Sequence, residues 1–425
     1  MGHKSAIIVG VCSPEESVEQ ISNDLEELAL LLETLKVKVR GKVTQKRQRL
    51  TARYLIGSGK LDEIRELAEG QQVDMIVFDR SLTALQVRNI EKRTCKDIFD
   101  RTGIILEIFS RHARSNQAKT QVEIAQLEYL LPRLTGAWTH FQRQAGGGVR
   151  SRGMGEKQIE IDRRRAREKI AKLQTRLRQI RTEKQVQRKA RSGEFKVALV
   201  GYTNSGKTTL MQNLTRSLEM AKDELFATLD TNIKVLDPKT HPKVLVSDTV
   251  GFIRNLPHSL IESFKSTLDE VCYADLLLHV VDASHARYKD HMITTQQVLN
   301  EVGAGDVPMI VIFNKLDLID HGSLQKVLKA AYPDSMQLSA RSSHDMKALR
   351  RFIFDYFRKK LLTVDLWVSK SHFDKISIIY QSCLILSEEY EGDEAIFKVQ
   401  ATAQIIEKIK QFAEMRSSNG SFEYR

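Results

Sequence analysis

Cysteine is scarce in this sequence: Cys12, Cys95, Cys272 and Cys383 are the only four, and no two form a Cys-x-x-Cys pair. That spacing excludes a disulfide framework and the common zinc-binding patterns, and isolated thiols suit a reducing compartment. Long apolar runs are missing too. No stretch approaches the roughly 18 apolar residues of a membrane-spanning helix. The opening residues carry neither a basic segment followed by a long apolar one nor an arginine-rich amphipathic presequence. Proline and glycine are modest, at 7 and 22 positions, which excludes fibrous and low-complexity classes. A cytoplasmic protein with no membrane span is the expectation.

What is present is globular composition, with 41% hydrophobic and 28% charged residues over 425 positions, enough for several domains. The net charge is +12, and it is concentrated. Between Arg163 and Arg191 stand 13 Lys or Arg against two acids, Glu168 and Glu183, so the rest of the chain is close to neutral. A charge surplus confined to one segment implies a polyanionic partner that meets this segment.

Residues 1–115 read as an α/β subdomain. Apolar runs at 6–11, 73–78 and 98–99 alternate with amphipathic helical patterns at 15–35, 61–69 and 84–93. Gly57-Ser58-Gly59-Lys60 reads as a turn. Residues 116–192 differ. Val122, Ala125, Leu127 and Leu131 lie at helical spacing before Pro132, five glycines follow between Gly146 and Gly155, and then Ala166, Ile170, Leu173, Leu177 and Ile180 recur at intervals of four, three, four and three. That interval is a coiled-coil seam, so the segment is expected to be a long antiparallel helical hairpin joined by a glycine-rich tip containing Arg150 and Arg152. A second α/β pattern spans 193–362. Residues 363–425 are expected to form a small α+β domain in which 366–368 and 395–399 are strand-like and 376–386 and 403–415 helix-like.

The chemistry is written into 193–362. A short apolar strand at 196–200 runs into Gly201-Tyr202-Thr203-Asn204-Ser205-Gly206-Lys207-Thr208 and then a helical pattern. A phosphate-binding loop needs this construction, because glycines let backbone N–H groups close round the phosphates and the helix N-terminus faces them. Lys207 would reach the β and γ phosphates, and the Thr208 hydroxyl would bind Mg²⁺. Asp248-Thr249-Val250-Gly251 follows an apolar strand. Its carboxylate can hold the magnesium through water, and a backbone N–H at Gly251 can sense the γ phosphate. Asn314-Lys315-Leu316-Asp317 follows another strand; the Asp317 carboxylate can accept from N1–H and the 2-amino group of guanine, which adenine lacks. Ser339-Ala340-Arg341 would bring a backbone N–H to the guanine oxygen. Each piece alone also suits an ordinary turn. Four in order, each at the C-terminal end of a strand, define a guanine nucleotide site.

With these residues on view, the chain resembles the HflX family of ribosome-associated GTPases along essentially its whole length. The resemblance is carried by 201–208, by Phe226-Ala227-Thr228-Leu229-Asp230, by Asp248-Thr249-Val250-Gly251-Phe252-Ile253, and by the block from Gly153 to Arg164. Asp100-Arg101-Thr102-Gly103 and the segment 121–127 add to it. It implies a P-loop GTPase domain preceded by an α/β subdomain and a helical hairpin and followed by a small α+β domain. Thr228 would be the switch residue whose hydroxyl meets magnesium, with Thr231 a nearby competitor. Lys207, Thr228 and Gly251 would carry the reaction. The family often has Pro after Gly153 and Thr after Glu156, where this chain has Met154 and Lys157, so the charge and shape of the tip depart from the pattern.

The family implies binding of GTP and GDP, association with rRNA of the large ribosomal subunit, and splitting or rescue of stalled ribosomes by a monomer. Arg150, Arg152, Arg163, Arg164 and Arg167 are the candidate rRNA contacts. An apolar stripe limited to a heptad seam, without Trp or Phe, suits a partner helix better than a lipid surface. Two other readings share the same motifs: a GTPase of large-subunit assembly, and a regulatory GTPase whose basic helix meets an acidic protein. Phe252 follows Gly251 where many GTPases carry the Gln that orients the attacking water, and an apolar ring cannot do that work. Slow intrinsic hydrolysis, stimulated by the ribosome, is therefore expected.

Overall fold

A computed structural model of the chain describes residues 4–14, 16–48, 51–134, 155–190, 193–215, 225–226, 228–229, 232–254, 270–319 and 322–415. They fall into two compact units. The first holds the described residues up to Arg181 together with 225–226 and 228–229; the second holds the remainder. Among the described residues no helix is long and apolar enough to cross a membrane.

The first unit is built on four parallel strands, β1 (Ser5–Cys12), β2 (Lys38–Lys46), β3 (Met75–Phe78) and β4 (Asp97–Asp100), in the order β2-β1-β3-β4. β1 is buried along its whole length between two neighbours, which explains its uninterrupted apolar run. Around the sheet stand α1 (Val18–Thr34), α2 (Ser58–Gly70), α3 (Ala84–Thr94) and α4 (Arg101–His112). α1 and α3 begin with reciprocal caps, Ser17 with Gln20 and Thr83 with Gln86. Gly57 is the cap of α2, so the Gly57 to Lys60 stretch opens a helix where the sequence suggested a turn.

Asp100, fully buried, caps α4 through Gly103 N–H and accepts from Tyr129 Oη at 2.7 Å and Arg133 at 2.9 Å. This ties the end of β4 to α5 (Asn116–Leu130) and to the short 3-10 turn (Leu131–Arg133) that contains Pro132. α6 (Gly155–Ala190) follows, 36 residues or roughly 54 Å. Its seam residues are its inward ones: Leu177 is buried and Ala166, Ile170, Leu173 and Ile180 half-buried, whereas most residues between them are exposed. Lys169 pairs with Glu123 of α5 at 2.6 Å. Arg150 and Arg152 lie outside the described residues.

The second unit carries two sheets. The larger has the order β10-β9-β8-β5-β7-β6, formed by β5 (Phe195–Val200), β6 (Asn232–Val235), β7 (Val244–Asp248), β8 (Leu276–Asp282), β9 (Met309–Asn314) and β10 (Met336–Gln337). All neighbours are parallel except the edge pair β6 and β7. The chain leaves β5 to build β7 on one side and then crosses to β8 on the other, which makes the C-terminal end of β5 the topological switch point. α7 (Lys207–Thr215), α8 (Tyr288–Val302), α9 (Ser323–Ala331) and α10 (Ser343–Arg358) flank it, and the core packs Val197, Leu199, Leu210, Leu214, Val246, Leu278, Leu349 and Phe357.

The smaller sheet is antiparallel, β12-β13-β11-β14, from β11 (Leu362–Ser369), β12 (Leu384–Glu391), β13 (Glu394–Ala401) and β14 (Glu414–Met415). The stretch 376–386 is not one helix. α11 (Ile376–Ser382) stops at Cys383, whose backbone is extended, and the chain continues as β12. α12 (Ala403–Ile409) likewise ends before β14, and both helices bury Ile379, Ile405, Ile406 and Ile409 against Leu366, Phe397 and Val399.

Candidate functional site

The four motif segments of the second unit lie at the C-terminal ends of β5, β7, β9 and β10. β5 delivers Gly201, after which the loop Tyr202, Thr203, Asn204, Ser205 and Gly206 turns into α7 at Lys207. Two loop residues need left-handed backbone, Asn204 at φ 57° and Gly206 at φ 92°. Gly206 has a second requirement, because a Cβ there would overlap Nδ2 of Asn314. Asn314 is 1% exposed and acts as a clamp: its Nδ2 donates to the Ser205 carbonyl at 2.8 Å, and its Oδ1 accepts from Ala340 N–H at 2.8 Å. One side chain thus joins the phosphate loop, the end of β9 and the loop after β10.

Asp317 is exposed and accepts from Ser339 Oγ at 2.5 Å, and Ser339 N–H is held by Asp345 at 2.9 Å. Leu316 opens a short 3-10 turn, and Lys315, at φ 64°, pairs with Asp282 at 2.8 Å. Asn213 of α7 donates to the Ala340 carbonyl at 2.7 Å, and Arg341 N–H donates to Ser339 Oγ at 3.3 Å. Asp317, Ser339, Ala340 and Arg341 are thus tied together by hydrogen bonds through Ser339 Oγ and Asn314.

On the phosphate side Lys207 is buried, with Nζ donating to the carbonyls of Tyr202 at 2.7 Å and Gly201 at 3.1 Å. Burial pushes its pKa down to about 8, opposed by Asp248 and assisted by Lys315. A nucleotide phosphate offers the same ammonium stronger acceptors than two carbonyls. The Thr208 hydroxyl donates to Asp248 at 2.8 Å. A hydroxyl oxygen and a carboxylate oxygen brought together suit a hard divalent cation. Among the described residues no group of three or more His, Cys, Asp or Glu could hold a metal.

The segment after β7 lies along the loop. Phe252 N–H donates to Gly201 O at 3.1 Å, Thr203 N–H donates to Phe252 O at 2.7 Å, and Tyr202 and Phe252 form a parallel bridge. Thr249 anchors the segment by donating to Leu199 O at 2.6 Å, and Val250, Phe252 and Ile253 are buried. Gly251 packs so closely that a Cβ would stand 2.9 Å from Thr203 Cα.

Thr228 is assigned to the first unit with Leu225, Phe226 and Leu229. There the Phe226 ring meets Phe109 edge-on at 4.7 Å and its carbonyl lies 2.7 Å from His112 Nδ1. Ala227, Asp230 and Thr231 lie outside the described residues. On α6, Arg164 and Arg167 are exposed and Arg163 is half-buried, and Arg164 approaches Glu168 at 3.8 Å. Sequence reasoning missed the role of Asn314 as a clamp to Ser205, and it missed His279 and His291 near the loop.

A glycine-bounded loop between a central parallel strand and a helix, a carboxylate beside the helix's first hydroxyl, and an Asn–Asp pair at the end of β9 define a P-loop GTPase. Family models agree: one described as GTP-binding GTPase N-terminal matches residues 22–110, one described as GTP-binding GTPase Middle Region matches 112–191, and one described as 50S ribosome-binding GTPase matches 196–315. The GTPase HflX of Gluconacetobacter diazotrophicus is 38% identical over 445 residues, covering 95% of this chain and 97% of that protein. That of Flavobacterium psychrophilum is 45% identical over 318 residues, 75% of this chain and 76% of its own. Among solved structures, the crystal structure of SsGBP with GDP aligns at 25% identity and a TM-score of 0.48, over 83% of this chain and 98% of that one. The chain belongs to the HflX family of GTPases and is an enzyme that hydrolyses GTP to GDP and phosphate.

Proposed function

We propose that this GTPase binds the large ribosomal subunit through α6 and the loop preceding it, and that GTP favours docking while GDP weakens it. Splitting or rescue of stalled ribosomes is the task this arrangement serves. The observation that carries the reading is the division of α6 into two faces. Its apolar seam points inward, while the Lys and Arg residues whose side chains are described between Arg163 and Lys184 are exposed, apart from the half-buried Arg163 and Lys184. Arg150, Arg152, Arg163, Arg164 and Arg167 are the candidate contacts to rRNA phosphates. The resemblance of 196–315 to a family described as 50S ribosome-binding GTPase supports the same partner.

In the nucleotide site, Gly201 to Thr208 cradle the phosphates, Lys207 neutralises the β and γ oxygens, and Asn314, Asp317, Ser339 and Ala340 select guanine. Thr208 and Asp248 would hold Mg²⁺, joined by Thr228 in the GTP state; the ion supplies charge neutralisation of the phosphoryl group in flight. Gly251 N–H reports the γ phosphate. Phe252 is 2% exposed and offers no proton acceptor, so intrinsic turnover is expected on the order of 10⁻⁴ s⁻¹, rising when a partner completes the site.

Sedimentation with purified large subunits tests the reading. Binding is expected to be stronger with a non-hydrolysable GTP analogue than with GDP and to fall steeply with salt as counterions are recaptured. Equal binding in both nucleotide states, or binding indifferent to salt, removes it. Turnover measured with large subunits, small subunits and neither identifies the activating particle.

A further inference from the structure

Tyr202 is engaged on every side. Its carbonyl accepts from Lys207, and its backbone bridges Phe252. Its hydroxyl accepts from Arg254 N–H at 2.9 Å, two residues beyond that bridge. Its ring lies flat on the imidazole of His291, with centroids 3.8 Å apart and planes within 3°. His291 belongs to α8, a rigid helix outside the loop and outside the segment after β7, and it is backed by the His285 ring at 4.4 Å. The Arg254 N–H bond is the farthest of the loop's hydrogen bonds to the segment along 248–254, after those at Gly201 and Thr203.

We propose that His291 is a positioning residue of the GTPase reaction, acting through the Tyr202 ring to hold the segment Gly251–Arg254 against the phosphate loop. A phenol ring can swing about two side-chain torsions, and its hydroxyl meets the Arg254 N–H only at one setting of them. The imidazole face of His291 supplies that setting. The contact is made by the Tyr202 ring and hydroxyl, whereas its carbonyl holds Lys207, so removing the His291 imidazole is expected to loosen the segment Gly251–Arg254 and to leave product affinity nearly unchanged. It is a way of raising kcat through order in the segment after β7 while nucleotide affinity changes little.

The inference rests on the loop being the nucleotide site, and GDP binding by the parent chain tests that reading by itself. Single-turnover hydrolysis and GDP affinity are then measured in the full chain for His291→Ala, Tyr202→Phe, the double variant and His291→Phe. One hydrogen bond of ordinary strength corresponds to about fivefold in rate. His291→Ala and Tyr202→Phe are each expected to slow hydrolysis about fivefold, His291→Ala with GDP affinity within about twofold of the parent. The double variant is expected to be no slower than the slower single one, because both act through the same contact. His291→Phe, which keeps a flat ring under Tyr202, is expected to restore most of the rate. Unchanged hydrolysis in His291→Ala overturns the proposal, as do losses that multiply in the double variant. Parallel falls in GDP affinity and melting temperature overturn it too, since a residue that merely supports the fold would move all three.

Discussion

Replacing Asn314 by Ala should unsettle the fold of the second unit before it affects any nucleotide. The side chain is 1% exposed and makes two buried hydrogen bonds, to Ser205 O and from Ala340 N–H, both at 2.8 Å. Truncation strands one carbonyl and one amide, each at about 1–3 kcal/mol, for a total of about 2–6 kcal/mol. With about 2–4 °C of melting temperature per kcal/mol in a unit of this size, the nucleotide-free protein should melt about 4–24 °C lower. Asp317→Ala makes the contrast. Asp317 is exposed and loses a single contact, with Ser339 Oγ, so its melting temperature should stay within a few degrees of the parent. Its GDP affinity should nevertheless drop about 10²- to 10⁴-fold, because two hydrogen bonds to a charged acceptor vanish at about 1.5–3 kcal/mol each. Calorimetry on nucleotide-free protein and titration with a fluorescent GDP separate the two. An Asn314→Ala protein that melts with the parent, or an Asp317→Ala protein that binds guanine normally, would falsify the division of labour between clamp and reader.

Three further outcomes follow from the same geometry. Gly251→Ala places a methyl group 2.9 Å from Thr203 Cα and 3.1 Å from Lys207 Nζ; the Thr203 backbone has to shift, so single-turnover hydrolysis should fall at least about tenfold while GDP affinity changes little, and a normal rate would show that the bridge at Phe252 is dispensable. Lys207, held at about 8 by burial, is roughly three-quarters neutral at pH 8.5 and should be recharged by phosphate oxygens; calorimetric enthalpies of GTP binding in buffers of different ionisation heat should therefore reveal proton uptake, absent in Lys207→Ala and contradicted by identical enthalpies. His279 is lowered to about 4 by burial, with Lys207 adding to the effect, so the unfolded chain takes up the proton first on acidification; stability present above about pH 6.5 should be lost as pH falls toward 4, by up to roughly 3 kcal/mol, and a His279→Leu chain should show a flatter decline.

The elements around the nucleotide were legible because their signals are local. Lys207 and Thr208 sit beside the glycine that allows the loop its turn, and Asp248 and Asn314 each close an apolar strand. The edge strand β2 escaped notice, since seven of the nine residues Lys38–Lys46 are Lys, Arg, Gln, Gly or Thr and only Val43 is buried; with one neighbour and an outward face it has no apolar alternation to detect. α4 went unread as a helix because its start is signalled by Asp100, whose other partners, Tyr129 and Arg133, come from the chain some 30 residues on. The halves of 376–386 share one apolar composition, and only the extended backbone at Cys383 separates helix from strand. Contacts such as Asn314 with Ser205 or Tyr202 with His291 join residues about 90 to 110 positions apart, and no spacing rule reaches that far.

Phe252 shows why the distinction between local and distant signals matters for mechanism. Read as a letter after Asp248-Thr249-Val250-Gly251, it says only that the usual water-orienting amide is missing. In the fold its ring is buried while its N–H and carbonyl both bond the phosphate loop, so the position serves the site through its backbone and its side chain serves packing. A polar replacement there would bury an unsatisfied amide before it could reach a water molecule. The group that completes hydrolysis therefore has to come from another element of the chain or from a partner. If such a partner docks on the exposed basic face of α6, as we propose, then stimulation by large subunits but not by small ones is the expected outcome, and equal stimulation by both would break the link between docking and hydrolysis.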